Sequence, residues 1–143
     1  MKPSLIKKIP TELIQRIIPY IYNFQPKNLR DDIKNYVSSK KTVLDLYYHI
    51  WIFIWNESDP QDKDWLINDI FGYANQNQAL LSGYTDNFYQ IWLRHHNLNN
   101  ITEIDQYMCY FEKKPVISQI NIFWGLLTPD ERRGIINLKY NND

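Results

Sequence analysis

The feature that most constrains this chain is the return of apolar side chains every three to four residues along most of its length, with only four glycines to interrupt it. That spacing places apolar groups on one stripe of a helix, whereas a strand facing a core on one side alternates them. The expected fold class is therefore all-α (mainly α): a single compact multi-helix domain of about 7–8 helices over residues 1–143. Hydrophobic residues make up 44% of the 143 residues, enough to fill a core. Lys plus Arg and Asp plus Glu balance at 16 each, so no broad electrostatic pull toward nucleic acid or an anionic membrane is expected.

The helices are read in order. Ile9, Leu13, Ile14, Ile17, Ile18 and Ile21 form one stripe after Pro10, with Glu12, Gln15 and Arg16 opposite. Pro19 should kink or end this helix. A loop at Asn23–Pro26 precedes a second helix, Lys27–Ser38, with Leu29, Ile33, Tyr36 and Val37 inward. A third element, Thr42–Trp55, takes Thr42 as N-cap and reads as a buried central helix. The β-branched and aromatic run Ile50–Trp55 leaves a strand open as the alternative. After the polar loop Asn56–Asp62, a helix over Lys63–Asn75 should bury Trp65 or Leu66, Ile67, Ile70, Phe71 and Ala74.

Thr85 or Asp86 caps the next helix, with Phe88, Ile91 and Trp92 inward. Ile101, Ile104, Tyr107, Met108 and Phe111 mark a helix up to Lys113. Pro115 opens another, carrying Ile117, Ile120, Phe123, Trp124 and Leu127. Thr128-Pro129-Asp130-Glu131 is the clearest start signal, a Thr N-cap with Glu at the capping-box position, and a short helix should run to about Leu138.

Catalytic chemistry finds little support in the pattern. Cys109, the only cysteine, lies in an expected helix with no glycine-rich elbow, and reads as a half-buried structural thiol. His95 and His96 are adjacent and should face different sides of a helix, a poor chelate. The loop bearing Glu57, Asp59, Asp62 and Asp64 lacks the glycine and terminal glutamate of an EF-hand and reads as solvated. No catalytic residue, metal or cofactor is expected, and the longest apolar run is too short for a bilayer helix of about 20 residues. A non-enzymatic, soluble, intracellular protein–protein interaction module is the expected class. Aromatic content of 15% offers interface anchors as well as core fillers.

Ile9-Pro10-Thr11-Glu12-Leu13-Ile14-Gln15-Arg16-Ile17-Ile18 resembles the opening of an F-box: an aliphatic residue and Pro, then Glu, Leu and Ile, then an aliphatic pair one turn later. Leu29, Ile33 and Tyr36 would supply the packing helix, and Trp51 the closing tryptophan, so the similarity covers residues 8–52. The resemblance implies a Skp1-like adaptor of a ubiquitin ligase as partner, docked through Ile9, Pro10, Glu12, Leu13, Ile14, Ile17, Ile18 and Ile21. It also implies that these N-terminal helices pack on a C-terminal helical bundle, residues 62–140, which recruits a target.

The whole chain is also similar to small F-box-like proteins of large DNA viruses of protists. The carriers are Gln25–Leu29 with Asp32-Ile33, the Trp65–Asp69 block and the stretch Gln119–Pro129. This second resemblance implies a viral protein in host cytoplasm or virus factory. It brings an alternative role, a virion or assembly component acting through homo-oligomerisation.

Overall fold

The structure, a computed structural model, describes residues 27–142, and every described regular element is helical. Six α-helices follow one another: α1 (Lys27–His49), α2 (Asp62–Ala74), α3 (Asp86–Trp92), α4 (Ile101–Phe111), α5 (Val116–Leu126) and α6 (Pro129–Asn142). A π-helical turn, Ile50–Ile54, extends α1, and a short 3₁₀ turn, Leu80–Ser82, lies between α2 and α3. The expected Pro10–Ile21 helix, the Pro19 kink and the Asn23–Pro26 loop lie outside the described residues. Residues 34–142 belong to one compact unit, and residues 27–33, the first turns of α1, to another.

Two expected helices, Lys27–Ser38 and Thr42–Trp55, are one. The junction Ser39-Lys40-Lys41 holds neither Gly nor Pro to break it. Thr42 does not cap: its hydroxyl donates back to the Ser38 carbonyl at 3.0 Å, as threonine does inside a helix. The Ile50–Trp55 run continues as helix rather than strand, but in a wider turn. The Trp55 amide reaches the Ile50 carbonyl, an i→i+5 bond of 2.9 Å. Asn56 then takes a left-handed φ of 55°, tolerable for Asn, and ends the element. This segment is not buried all round, as its composition led one to expect. Phe53 is 68% exposed, and Tyr48, Ile54 and Trp55 are also exposed.

The core lies between α2 and α5, which pack most extensively, with α3 and α6 against α2 and α4 against α3. Leu66, Ile70, Phe88, Ile91, Trp92, Ile104, Phe111, Ile120, Phe123 and Trp124 are fully buried, as their spacing required. Val37, Ile101 and Ile117 are exposed instead of inward, as are Leu29 and Ile33. Ile101 and Ile117 stand in the first turns of α4 and α5, and Val37 lies between the Tyr36 and Lys40 positions that face α5.

Side chains close several of the helix ends, though not the starts of α2 and α5. Thr128 Oγ1 accepts from the Glu131 amide (3.2 Å), and the Glu131 carboxylate accepts from the Thr128 amide (2.7 Å), the reciprocal capping box. Helix α6 then runs past Leu138 to Asn142. Thr85 caps α3 and Asn100 caps α4. Buried Gln119 donates to the carbonyls of Glu112 and Lys114 beyond α4. Arg132, 1% exposed, donates to the Trp124 and Gly125 carbonyls at the end of α5 and to Asn35 Oδ1 on α1. Trp124 Nε1 donates to Ser39 Oγ, and Lys40 to Asn121 Oδ1, so α1 from Lys34 onward is tied to α5 by polar contacts at its flank.

Asn75 organises the loop after α2. Its side-chain amide donates to the Gln78 and Gly83 carbonyls, while its oxygen accepts from the Thr85 amide at 2.7 Å. Gln76 and Asn77 adopt left-handed φ values of 53° and 60°, and Gly83 sits at φ 85°, ψ −176°, a region open essentially only to glycine. The loop holds Leu80 and a fully solvent-exposed Leu81 outward.

Candidate functional site

The residues expected to dock a partner, Ile9, Pro10, Glu12, Leu13, Ile14, Ile17, Ile18 and Ile21, lie outside the described residues. Within residues 34–142 the most unusual surface is the aromatic corner where α1 ends. The π turn brings Trp51 and Trp55 together, with ring centres 5.7 Å apart. Both meet Trp65 of α2, Trp55 at 4.4 Å and Trp51 at 5.7 Å. Tyr47 closes the group edge-on to Trp65 at 4.8 Å. Trp51, the residue matched to the closing tryptophan of the F-box resemblance, is half-buried here, and its indole N–H donates to the Asp59 carbonyl.

Lys139, from the last part of α6, lies against this corner. Its ammonium is 3.2 Å from the centre of the Trp65 ring, 5.1 Å from Tyr47 and 5.8 Å from Trp55. Asp69 Oδ2 stands 3.6 Å from the same nitrogen and accepts a 2.6 Å hydrogen bond from the Tyr47 hydroxyl. A cation over aromatic faces is attracted by the ring quadrupole, most strongly by tryptophan. Lys139 keeps little exposure, 13% of its side chain, while Asp69 keeps 39%.

Beside the corner runs an open groove of about 710 Å³. Its walls come from α1, α2 and the loop after it, α3 and α6, and include Asp69, Tyr73, Gln76, Asn87, Glu131 and Lys139. Amides and carboxylates predominate, which suits hydrogen bonding rather than hydrophobic capture. Burial, and after it the Glu131 charge, pushes the Tyr73 phenol above its ordinary 10.0. Glu131 is itself engaged. Burial pushes its carboxyl up, but the Arg94 guanidinium at 2.6 and 3.0 Å and the Thr128 amide and hydroxyl outweigh that and hold it below its ordinary 4.5.

The other chemically notable groups are scattered. Cys109 is exposed on α4, not half-buried, with Sγ 3.9 Å from the Asp105 carbonyl oxygen. His95 and His96 lie in the turn after α3 rather than on a helix, so their rings do not diverge but stack at 4.9 Å. Burial, then the neighbouring His96, lowers the His95 pKa. Asp62 is buried in the first turn of α2 instead of solvated, and its Oδ1 has no hydrogen-bond partner among the described residues. Among the described residues no three His, Cys, Asp or Glu side chains are grouped to hold a metal ion. None of the described helices is long and apolar enough to cross a membrane.

The corner was only partly visible in the sequence. Trp51 and Trp55 stand one turn apart, but Lys139 and Asp69 are distant in the chain and no local pattern links them to the tryptophans. Comparison with known proteins yields no matching family model, and no significantly similar curated protein or solved structure.

Proposed function

We propose that this chain is a non-enzymatic protein–protein interaction module. On this reading Ile9, Pro10, Glu12, Leu13, Ile14, Ile17, Ile18 and Ile21 dock a Skp1-like adaptor, and the helical unit from Lys34 onward offers a second surface to a target. The observation that carries the reading is the placement of Tyr48, Phe53, Ile54 and Trp55. Four large apolar side chains near the end of α1 stand exposed, Tyr48 and Phe53 in ring contact at 6.5 Å, while buried Gln119 and Arg132 are spent on helix ends. Exposed aromatics in one place are the usual anchors of protein interfaces.

Co-purification with a Skp1-type adaptor tests the first contact. Binding at micromolar concentration, lost in Leu13→Asp or Ile17→Asp with helix content intact, supports it; no binding by the unaltered chain removes it. The second contact is tested with Phe53→Ser and Ile54→Ser, which should abolish target capture and leave the adaptor bound.

The same exposed side chains favour one further reading, an assembly protein that self-associates through the end of α1. Light scattering separates the two. A monomer that stays monomeric at high concentration removes self-association, whereas a dimer dispersed by Phe53→Ser supports it.

A further inference from the structure

The aromatic corner has the make-up of a receptor for an ammonium group. Tyr47, Trp55 and Trp65 present three rings to one nitrogen, and Asp69 supplies the compensating charge, oriented by the Tyr47 hydroxyl. Rings around a cation with a carboxylate beside them select alkylated ammonium groups, which carry charge but shed water easily. Here the occupant is the chain's own Lys139.

Three features point past a purely internal contact. Trp55 is 46% exposed, so one ring of the receptor borders solvent, while Tyr47 forms its buried wall. It adjoins the amide-lined groove of about 710 Å³, where Gln76, Asn77 and Asn87 can hydrogen-bond an extended peptide backbone and Asp69 favours a basic one. Leu138 and Tyr140, on either side of Lys139, are 53% and 61% exposed, so the turn carrying Lys139 has little apolar burial from its neighbours to hold it in place.

We propose that Tyr47, Trp55, Trp65 and Asp69 form a binding site for a lysine side chain of a partner peptide, preferring its methylated form, and that Lys139 occupies the site until the ligand displaces it. This rests on the interaction-module reading and names the chemistry of its second contact. Displacement of an internal competitor lowers apparent affinity by the fraction of molecules in which the site is open. Methylation of the incoming lysine shifts the competition, because Lys139 cannot match the weaker hydration of a trimethylammonium group.

The test uses the full chain and tryptophan fluorescence, titrated with N-acetyl-trimethyllysine amide, N-acetyl-lysine amide and the neutral N-acetyl-norleucine amide. The trimethyl compound should quench saturably, the lysine compound more weakly and the neutral one not at all. Lys139→Ala should tighten the trimethyl compound about tenfold. Trp55→Ala, at a half-exposed position, should abolish saturation in either background, with circular dichroism confirming helix content. Should Lys139→Ala unfold, Lys139→Gln keeps the stem, removes the charge, and should tighten binding in the same direction.

Equal response to the charged and neutral compounds overturns the proposal. So does an unchanged affinity in a folded Lys139 variant, or saturation that survives Trp55→Ala. Adaptor capture through residues 9–21 is measured separately, so loss of one result leaves the other standing.

Discussion

Two regions of this chain use the same kinds of aromatic residue to opposite ends. Around Phe123, rings from four helices interlock edge to face: Phe71 at 5.1 Å and 81°, Trp92 at 4.9 Å and 65°, with Trp92 also at 4.9 Å and 78° to Phe111. At the end of α1, Trp55 lies over Trp65 at 4.4 Å and 31°, and one side of the stack faces water. In the first region Trp92, Phe111 and Phe123 are fully enclosed by neighbours from other elements, with Phe71 partly buried against them, and shape decides their place. In the second, the rings touch α2 and Lys139 of α6 on one side only, and Trp55 stays 46% exposed. The lesson is that enclosure, rather than residue type, separates a filler of the core from an anchor for a partner.

The comparison breaks most visibly by removing a ring or its fastener from the enclosed side. Phe123→Ala should cost about 3–5 kcal/mol of stability in denaturant unfolding, through lost transfer energy and an uncollapsed cavity. Arg132→Ala should fall near it, about 3–4 kcal/mol, because the α5 carbonyls and Asn35 lose a buried donor. Asn75→Ala should cost about 2–3 kcal/mol, since three hydrogen bonds across the α2–α3 loop go together.

Smaller effects sharpen the contrast. Glu131 has a carboxyl held below its ordinary 4.5, so its contribution is present above that value and is lost as pH falls through the lower folded value. Arg94→Met should therefore lower stability in denaturant unfolding at neutral pH by less than about 1 kcal/mol, because the pair is partly exposed, and the difference from the unaltered chain should shrink as pH falls below about 4.5. Smallest of all, Phe53→Ser should change stability by no more than about 0.5 kcal/mol. A loss as large as that of Phe123→Ala would place Phe53 in the enclosed class and remove the distinction.

Most of the enclosed region was legible in the sequence and most of the open one was not. Phe88, Ile91, Trp92, Ile120, Phe123 and Trp124 recur at helical spacing, and the Thr128–Glu131 box announces α6 by local chemistry alone. Periodicity fails where every position is apolar, as in Ile50–Trp55, since no polar face marks the outside. It also fails for contacts made across the chain. Arg132 stands next to Arg133 in the sequence with nothing local to tell the two apart, and only its buried position beneath α5 shows that it is a fastener. Lys139 lies at the expected end of the last helix, and its three rings come from α1, the residue after the π turn, and α2. The continuity of α1 through Thr42 was missed because threonine signals a cap and a back-bonded helix residue with the same hydroxyl. The docking stripe from Ile9 to Ile21 rests on its sequence pattern alone.

The loop tethered by Asn75 has a consequence for recognition kinetics. Leu80 and Leu81 protrude from a segment whose backbone is already committed at Gln76, Asn77 and Gly83 and clamped from beneath. A partner closing over those leucines meets a tip that has little freedom left to surrender, so contact there forfeits little ordering entropy. The same clamp should make the tip a poor protease substrate despite its exposure, with chymotryptic nicking after Leu81 slow in the intact chain and rapid in Asn75→Ala.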